Sequence, residues 1–169
     1  MHRLHYFGVS IVALLAIGGT CSDPPPYRDV SGIWANATWG PGAAMTSSAG
    51  EALDLDIAMD LRAPVPQKRG SVPVTGSVCI RDPKLGLSGT YTIDAATSTW
   101  TGSDYGGTRL DLAARTADGR SLGITQAFMH NSSPDKLDDA NIELRAAGEG
   151  PKVSFRFEGF VRRADLSCP

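Results

Sequence analysis

Histidine is almost missing from this sequence: of three in 169 residues, two, His2 and His5, fall at the very start. Past residue 21 only His130 remains, so any Ser-His-Asp or Cys-His arrangement would have to be built on it. It stands in His130-Asn131-Ser132-Ser133-Pro134, a turn-forming cluster in which a solvated turn residue is the simple reading. Cysteine is equally scarce, with only Cys21, Cys79 and Cys168. A structural zinc site takes roughly four Cys, His or carboxylate ligands, and the supply here is too thin for one. Clustered positive charge is lacking as well. Sixteen Lys+Arg stand against 18 Asp+Glu, with Lys68-Arg69 and Arg162-Arg163 the densest basic spots, which argues against nucleic acid as a partner. There is no Gly-rich phosphate loop: Gly102, Gly106 and Gly107 flank a hairpin turn at Ser103-Asp104-Tyr105, with no helix after them to receive an anion. These absences leave no catalytic residues, metal site or cofactor to assign, and the chain reads as a non-enzyme.

The one long apolar run, Phe7 to Ile17, is about half of the roughly 20 residues that span a bilayer. Preceded by Arg3 and followed by the small residues Gly18, Gly19 and Thr20, it reads as a secretory signal over residues 1–20. The segment Ile17-Gly18-Gly19-Thr20-Cys21 resembles the lipobox of bacterial lipoproteins, with Gly18 and Thr20 where that family usually has Leu and Gly or Ala. The resemblance implies cleavage before Cys21, lipid attachment to it, and a membrane-anchored life in the bacterial cell envelope. Ordinary cleavage with release to the periplasm or medium is the alternative. Residues 21–29 then form a tether, stiffened by Pro24-Pro25-Pro26.

From residue 30 to 169 apolar residues come in short alternating runs, not helical stripes. The clearest is Glu51 to Arg62, where Leu53, Leu55, Ile57, Met59 and Leu61 alternate with Asp54, Asp56, Ala58 and Asp60. Period two places one face in a core and leaves the acidic face in water. Val30–Trp39, Ser71–Ile80, Leu87–Ala95, Ser98–Ser103, Thr108–Thr116, Ser121–Met129, Asn141–Ala146 and Val153–Arg162 read the same way, while Pro134–Ala140 reads as one helical turn or a loop. Eight or nine strands joined by hairpin-length connections must pair antiparallel. They form an up-and-down barrel or a two-sheet sandwich, all-β in class, and closure is favoured because it removes exposed edges.

Ser31-Gly32-Ile33-Trp34, at the start of the first strand, resembles the Gly-X-Trp signature of the calycins, the superfamily of lipocalin-like and avidin-like barrels. That resemblance implies that Trp34 closes one barrel end beneath a basic residue of the last strand, a role for Arg162 or Arg163. It also implies a small apolar ligand inside, lined by Trp34, Tyr91, Trp100, Phe128, Phe155 and Phe157. The alternatives are a filled barrel serving as a structural, protein-interaction or inhibitor lipoprotein with an envelope protein as partner, or an enzyme of unknown type.

With Cys21 acylated, Cys79 and Cys168 are left to form one disulfide in an oxidising compartment. The alternatives are a free Cys21 or an intermolecular bridge. Alternation with Val78 and Ile80 sets Cys79 on the outward face, where the tail after the last strand can reach it, and lipocalins have a similar tail-to-wall bridge. Asp54, Asp56 and Asp60 are read as a solubilising face. Asp135, Asp138, Asp139 and Asn141 are the better calcium candidates, although their spacing fits no EF-hand.

Overall fold

In the computed structural model the described residues are 27–36, 44–46, 52–67, 69–82, 84–102, 108–130, 133–147 and 152–166. The side chains of 44–46, 52, 53, 139, 157 and 158 fall outside the description. The signal over 1–20, the lipid site at Cys21 and the bridge partner Cys168 also lie outside it.

The chain forms β1 (Gly32–Asn36), β2 (Ala44–Thr46), β3 (Ala52–Asp54), β4 (Asp56–Arg62), β5 (Gly70–Pro73) and β6 (Thr75–Arg81). There follow β7 (Gly89–Ile93), β8 (Thr99–Gly102), β9 (Thr108–Arg115), β10 (Ser121–Met129), β11 (Lys136–Arg145) and β12 (Lys152–Arg162). Eight of these close a ring in chain order, β1-β4-β6-β7-β9-β10-β11-β12, and β12 returns antiparallel to β1. The fold is therefore a closed up-and-down barrel and not a sandwich. β5 and β8 pair with each other outside the ring, and β2 with β3.

Among the described residues twelve short strands replace the eight or nine of the sequence reading, mainly because two long runs are interrupted. Glu51–Arg62 breaks at Leu55 between β3 and β4, and Ser71–Ile80 breaks at Val74 between β5 and β6. β7 and β8 are likewise separated by the turn Asp94–Ser98, where Ser98 N–H donates to Asp94 O (2.9 Å). The Ser98 hydroxyl accepts from Ala113 N–H at 3.0 Å, stitching this turn to β9.

Alternation builds the interior. Ile57, Met59 and Leu61 of β4, Val78 of β6, Leu110 of β9 and Ile124 of β10 have no exposed surface. Each such Leu or Ile contributes about 1.5–3 kcal/mol relative to an exposed position. The sequence reading is corrected at two stretches. Pro134–Ala140 is not a helical turn, since Lys136 to Ala140 belong to β11 and Leu137 and Ala140 are fully buried in the core. Asp56 does not face open water: it is 3% exposed, ion-pairs with Arg81 and accepts from Asn36 Nδ2 at 3.1 Å.

One barrel end is sealed by the N-terminal segment together with the last strand. Residues 27–29, which the sequence assigns to the tether, lie against this end. The ring of Tyr27 lies where a Cβ on Gly102 would have to go, Arg28 O accepts from Trp100 Nε1 (2.9 Å), and Asp29 O accepts from Arg162 Nη2 (2.8 Å). The Arg162 guanidinium stacks 4.4 Å from the Trp34 ring and bonds Ser31 O. Gly32 is required beneath it: its φ is +125°, and an added Cβ would lie 2.9 Å from Arg162 Nη1. The substitution Gly32→Ala should cost about 1–3 kcal/mol through backbone strain and loss of the Arg162 seat, read as a lowered midpoint in chemical denaturation.

Candidate functional site

The interior is the first place to look for a site, and its aromatics argue against one. A side chain bordering a space large enough for water keeps some accessible surface even when that space is sealed. Trp34, Tyr91 and Trp100 keep none. Their polar atoms are also satisfied by backbone within the fold: Trp34 Nε1 donates to Val30 O (2.8 Å), and Tyr91 Oη donates to Leu87 O (2.7 Å). Burial raises the Tyr91 hydroxyl's pKa above its ordinary value, with Arg120 opposing the shift. Phe155 points inward at 3% exposure, and the side chain of Phe157 lies outside the described residues.

Phe128 overturns its expectation outright, being 37% exposed on the outer face. The cause is a bulge in β10, where the register with β9 shifts between Ile124 and Ala127. Ile124, Ala127 and Met129 face the core, so the alternation Leu122, Ile124, Gln126, Phe128 is broken after its second member.

The remaining sequence candidates separate in space. His130 is exposed in its turn, its carbonyl accepting from Ser133 N–H (3.0 Å). Asp135 pairs with Arg162 (3.2 Å) and Asp138 with Lys136 (2.7 Å), while the Asp139 side chain is outside the description. Among the described residues no three His, Cys, Asp or Glu side chains converge as a metal cluster. Cys79 sits in an outward-facing row with Ala58 and Ala35 on the neighbouring strands, and its Sγ lies 3.8 Å from Thr90 Oγ1. All three are outside the interior cluster, yet Ala35 and Ala58 have no exposed surface and Cys79 has 3%. This stretch of outer wall is covered.

At the end opposite Trp34, Arg120 ties two turns together. It donates to Gly86 O (3.3 Å) and Ser88 O, lies 6.0 Å from the Tyr91 ring centre, and pairs with Asp118 (3.0 Å). The Asp118 carboxylate also accepts from the Thr116 hydroxyl.

The structure adds a site that the sequence reading missed: a groove of about 410 Å³ on the outer wall of β10, β11 and β12. Gly123 forms its floor, and nothing lies within 4 Å of where its Cβ would be. Around it stand Thr125, Asn141, Glu143, Ser154 and Arg156, backed by the inward residues Ile142 and Phe155. The Glu143 carboxylate is held ionised: a hydrogen bond from Lys152 (2.6 Å) lowers its pKa first, with Arg145 (3.4 Å) acting in the same sense.

On the rim, Gln126 holds a φ of +60°, a left-handed conformation rare for a non-glycine residue. Its N–H donates to Asp111 Oδ1 (3.0 Å), Asp111 is paired with Arg109 (2.7 Å), and Gln126 Oε1 accepts from Asn141 Nδ2 (3.1 Å). Two signals in the sequence point here in retrospect. One is a lone glycine, Gly123, inside a strand; the other is the consecutive polar pair Thr125-Gln126 within an alternating run.

Compared with known proteins, the chain matches no family model, no curated protein and no solved structure.

The Arg120 tie makes a pH prediction. Hydrogen bonds from Arg120 and then Thr116 lower the Asp118 pKa from 3.8 to about 2. A depressed carboxylate adds stability above its unfolded value that is lost as pH falls through the folded one. Carbon-detected NMR titration should therefore place the Asp118 midpoint near 2, and Arg120→Gln should return it toward 3.8.

Proposed function

We propose that the chain is an exported, lipid-anchored envelope protein acting as a non-catalytic binding domain that works through its outer wall, its interior serving as packing. The observation that carries this reading is the zero exposure of Trp34, Tyr91 and Trp100, side chains that an apolar ligand inside the barrel would have to touch. Small eight-stranded barrels are just wide enough for side chains to fill them. Phe128, another member of that expected lining, faces outward on β10, one of the groove strands.

Anchoring and cross-linking fit the same arrangement. Tyr27 to Val30 lie across the sealed end, so a lipid on Cys21 would hold that end toward the membrane. The covered row at Ala35, Ala58 and Cys79 supports a tail folded back on the wall and bonded there through Cys168. Arg163 N–H donates to Ile33 O (2.8 Å), placing the tail's start one strand beyond β1. From there to Cys79 is about three strand spacings of roughly 4.8 Å, plus two residues along the strand. Five residues extend at most about 17 Å, and a disulfide spans a further 5.5 Å or so, which is enough.

Mass spectrometry of the full chain purified from expressing bacteria tests the export half. The expected mass lacks residues 1–20, carries lipid at Cys21 and is lighter by the two thiol hydrogens of Cys79 and Cys168. A chain that keeps its first 20 residues without lipid would overturn export, and free thiols would overturn the bridge. For the binding half, an apolar fluorescent probe should show no stoichiometric binding. Saturable uptake that quenches Trp34 and Trp100 would restore the interior reading.

A further inference from the structure

From the groove over Gly123 we infer a binding site for a saccharide, a reading that rests on the outer wall being the binding surface. A sugar ring is amphipathic, with carbon-bound hydrogens on its faces and hydroxyls around its rim. Its sites accordingly combine exposed carbon with a few fixed planar polar groups. The groove has that composition. The backbone is bared at Gly123, and around it stand two hydroxyls, Thr125 and Ser154, one amide, Asn141, one carboxylate, Glu143, and one guanidinium, Arg156. Its volume of about 410 Å³ lies within the range of small-molecule sites, about 300–1,000 Å³.

The lining offers both donors and acceptors, which suits hydroxyl groups. Both oxygens of Glu143 are already engaged, Oε2 by Lys152 and Oε1 by Arg145, so its charge is offset within the wall and its remaining lone pairs can accept hydrogen bonds from hydroxyls. The pair formed by Gln126 and Asn141 is more specific. One amide–amide bond of 3.1 Å joins Asn141 Nδ2 to Gln126 Oε1. It leaves Gln126 Nε2 able to donate and Asn141 Oδ1 able to accept, the two kinds of group that a pair of hydroxyls or one acetamido group requires. Further along β10, Phe128 offers a partly exposed ring of the kind on which a sugar face can lie.

The backbone at Gln126 gives independent support. A bulge needing φ near +60° is best served by glycine, which adopts it without penalty. A glutamine there retains backbone strain, and its side chain does what glycine cannot, bonding Asn141 at the groove's edge. Bulges of this kind re-aim side chains next to sites.

The test is amide NMR of the full chain in mild detergent, titrated separately with an N-acetylglucosamine tetramer and with maltotetraose. Saturable shifts at Gly123, Thr125, Asn141 and Ser154 with one of the two are expected, and the responding probe tells acetamido from plain hexose recognition. Gln126→Gly keeps the bulge, so circular dichroism and thermal unfolding should show a fold at least as stable, while binding weakens about tenfold. Undiminished binding by Gln126→Gly, or silence at the groove with both sugars, overturns the saccharide site. If the Trp34 and Trp100 indole signals shift instead, the outer-wall reading falls with it; if they too stay silent, only the saccharide assignment is lost.

Discussion

A barrel exists only if its last strand finds its first, and here that seam is β1 against β12, with Trp34 opposite Arg162. The same two residues also close the barrel end, because the guanidinium lies across the indole and ties down Ser31 and Asp29. Gly32 supplies the missing side chain that lets Arg162 sit there. Three interactions thus share one locus: strand pairing, a cation over an aromatic face, and hydrogen bonds to the entering chain. The calycin resemblance implied a Trp beneath a basic residue of the last strand, and this geometry has that form. Barrel geometry alone does not fix ancestry, since closure of any small ring rewards a large residue at its end.

Once the ring is closed, its diameter governs what the inside can be. Trp34, Tyr91, Trp100 and Phe160 fill it together with a lining of Leu, Ile and Met, and none of these four aromatics retains accessible surface. Packing at this density is costly to disturb, because removing one large aromatic from a core typically costs about 3–5 kcal/mol. A ligand entering the barrel would have to displace such a side chain. Recognition at the outer wall would leave the core intact, and its cost would be the desolvation of polar side chains that a polar partner then rebonds.

How much of this was legible in the sequence depends on where the two-residue period holds. It holds in β4, and Ile57, Met59 and Leu61 were placed correctly inside. It fails at Gln126, where a single extra residue turns Phe128 from the core to the outer face. The acidic stripe of β4 misled for another reason. Alternation gives the side a residue lies on, not what covers that side, and Asp56 is buried by partners from β1 and β6 that are distant in sequence. In Lys136–Ala140 the polar composition concealed a strand whose pairing with β12 extends from Lys136 to Arg145. The groove was illegible because it is made by three strands at once, with a glycine whose meaning depends on its neighbours.

The position of the groove follows from what the rest of the wall is already doing. Going round the ring of eight, Cys79 lies on β6 and the centre of the groove on β11, four strands apart and hence on opposite sides. The Cys79 side is lined outwardly by Ala35 and Ala58, small residues that permit close cover and are fully covered. The β11 side carries Thr125, Asn141 and Arg156 in the open, with Gly123 at its floor. The wall thus divides into a covered face and a face left to solvent. Among the described residues the one non-glycine residue with positive φ, Gln126, lies on the second face, where its bulge turns Ala127 and Met129 to the core and leaves its own side chain on the outer wall.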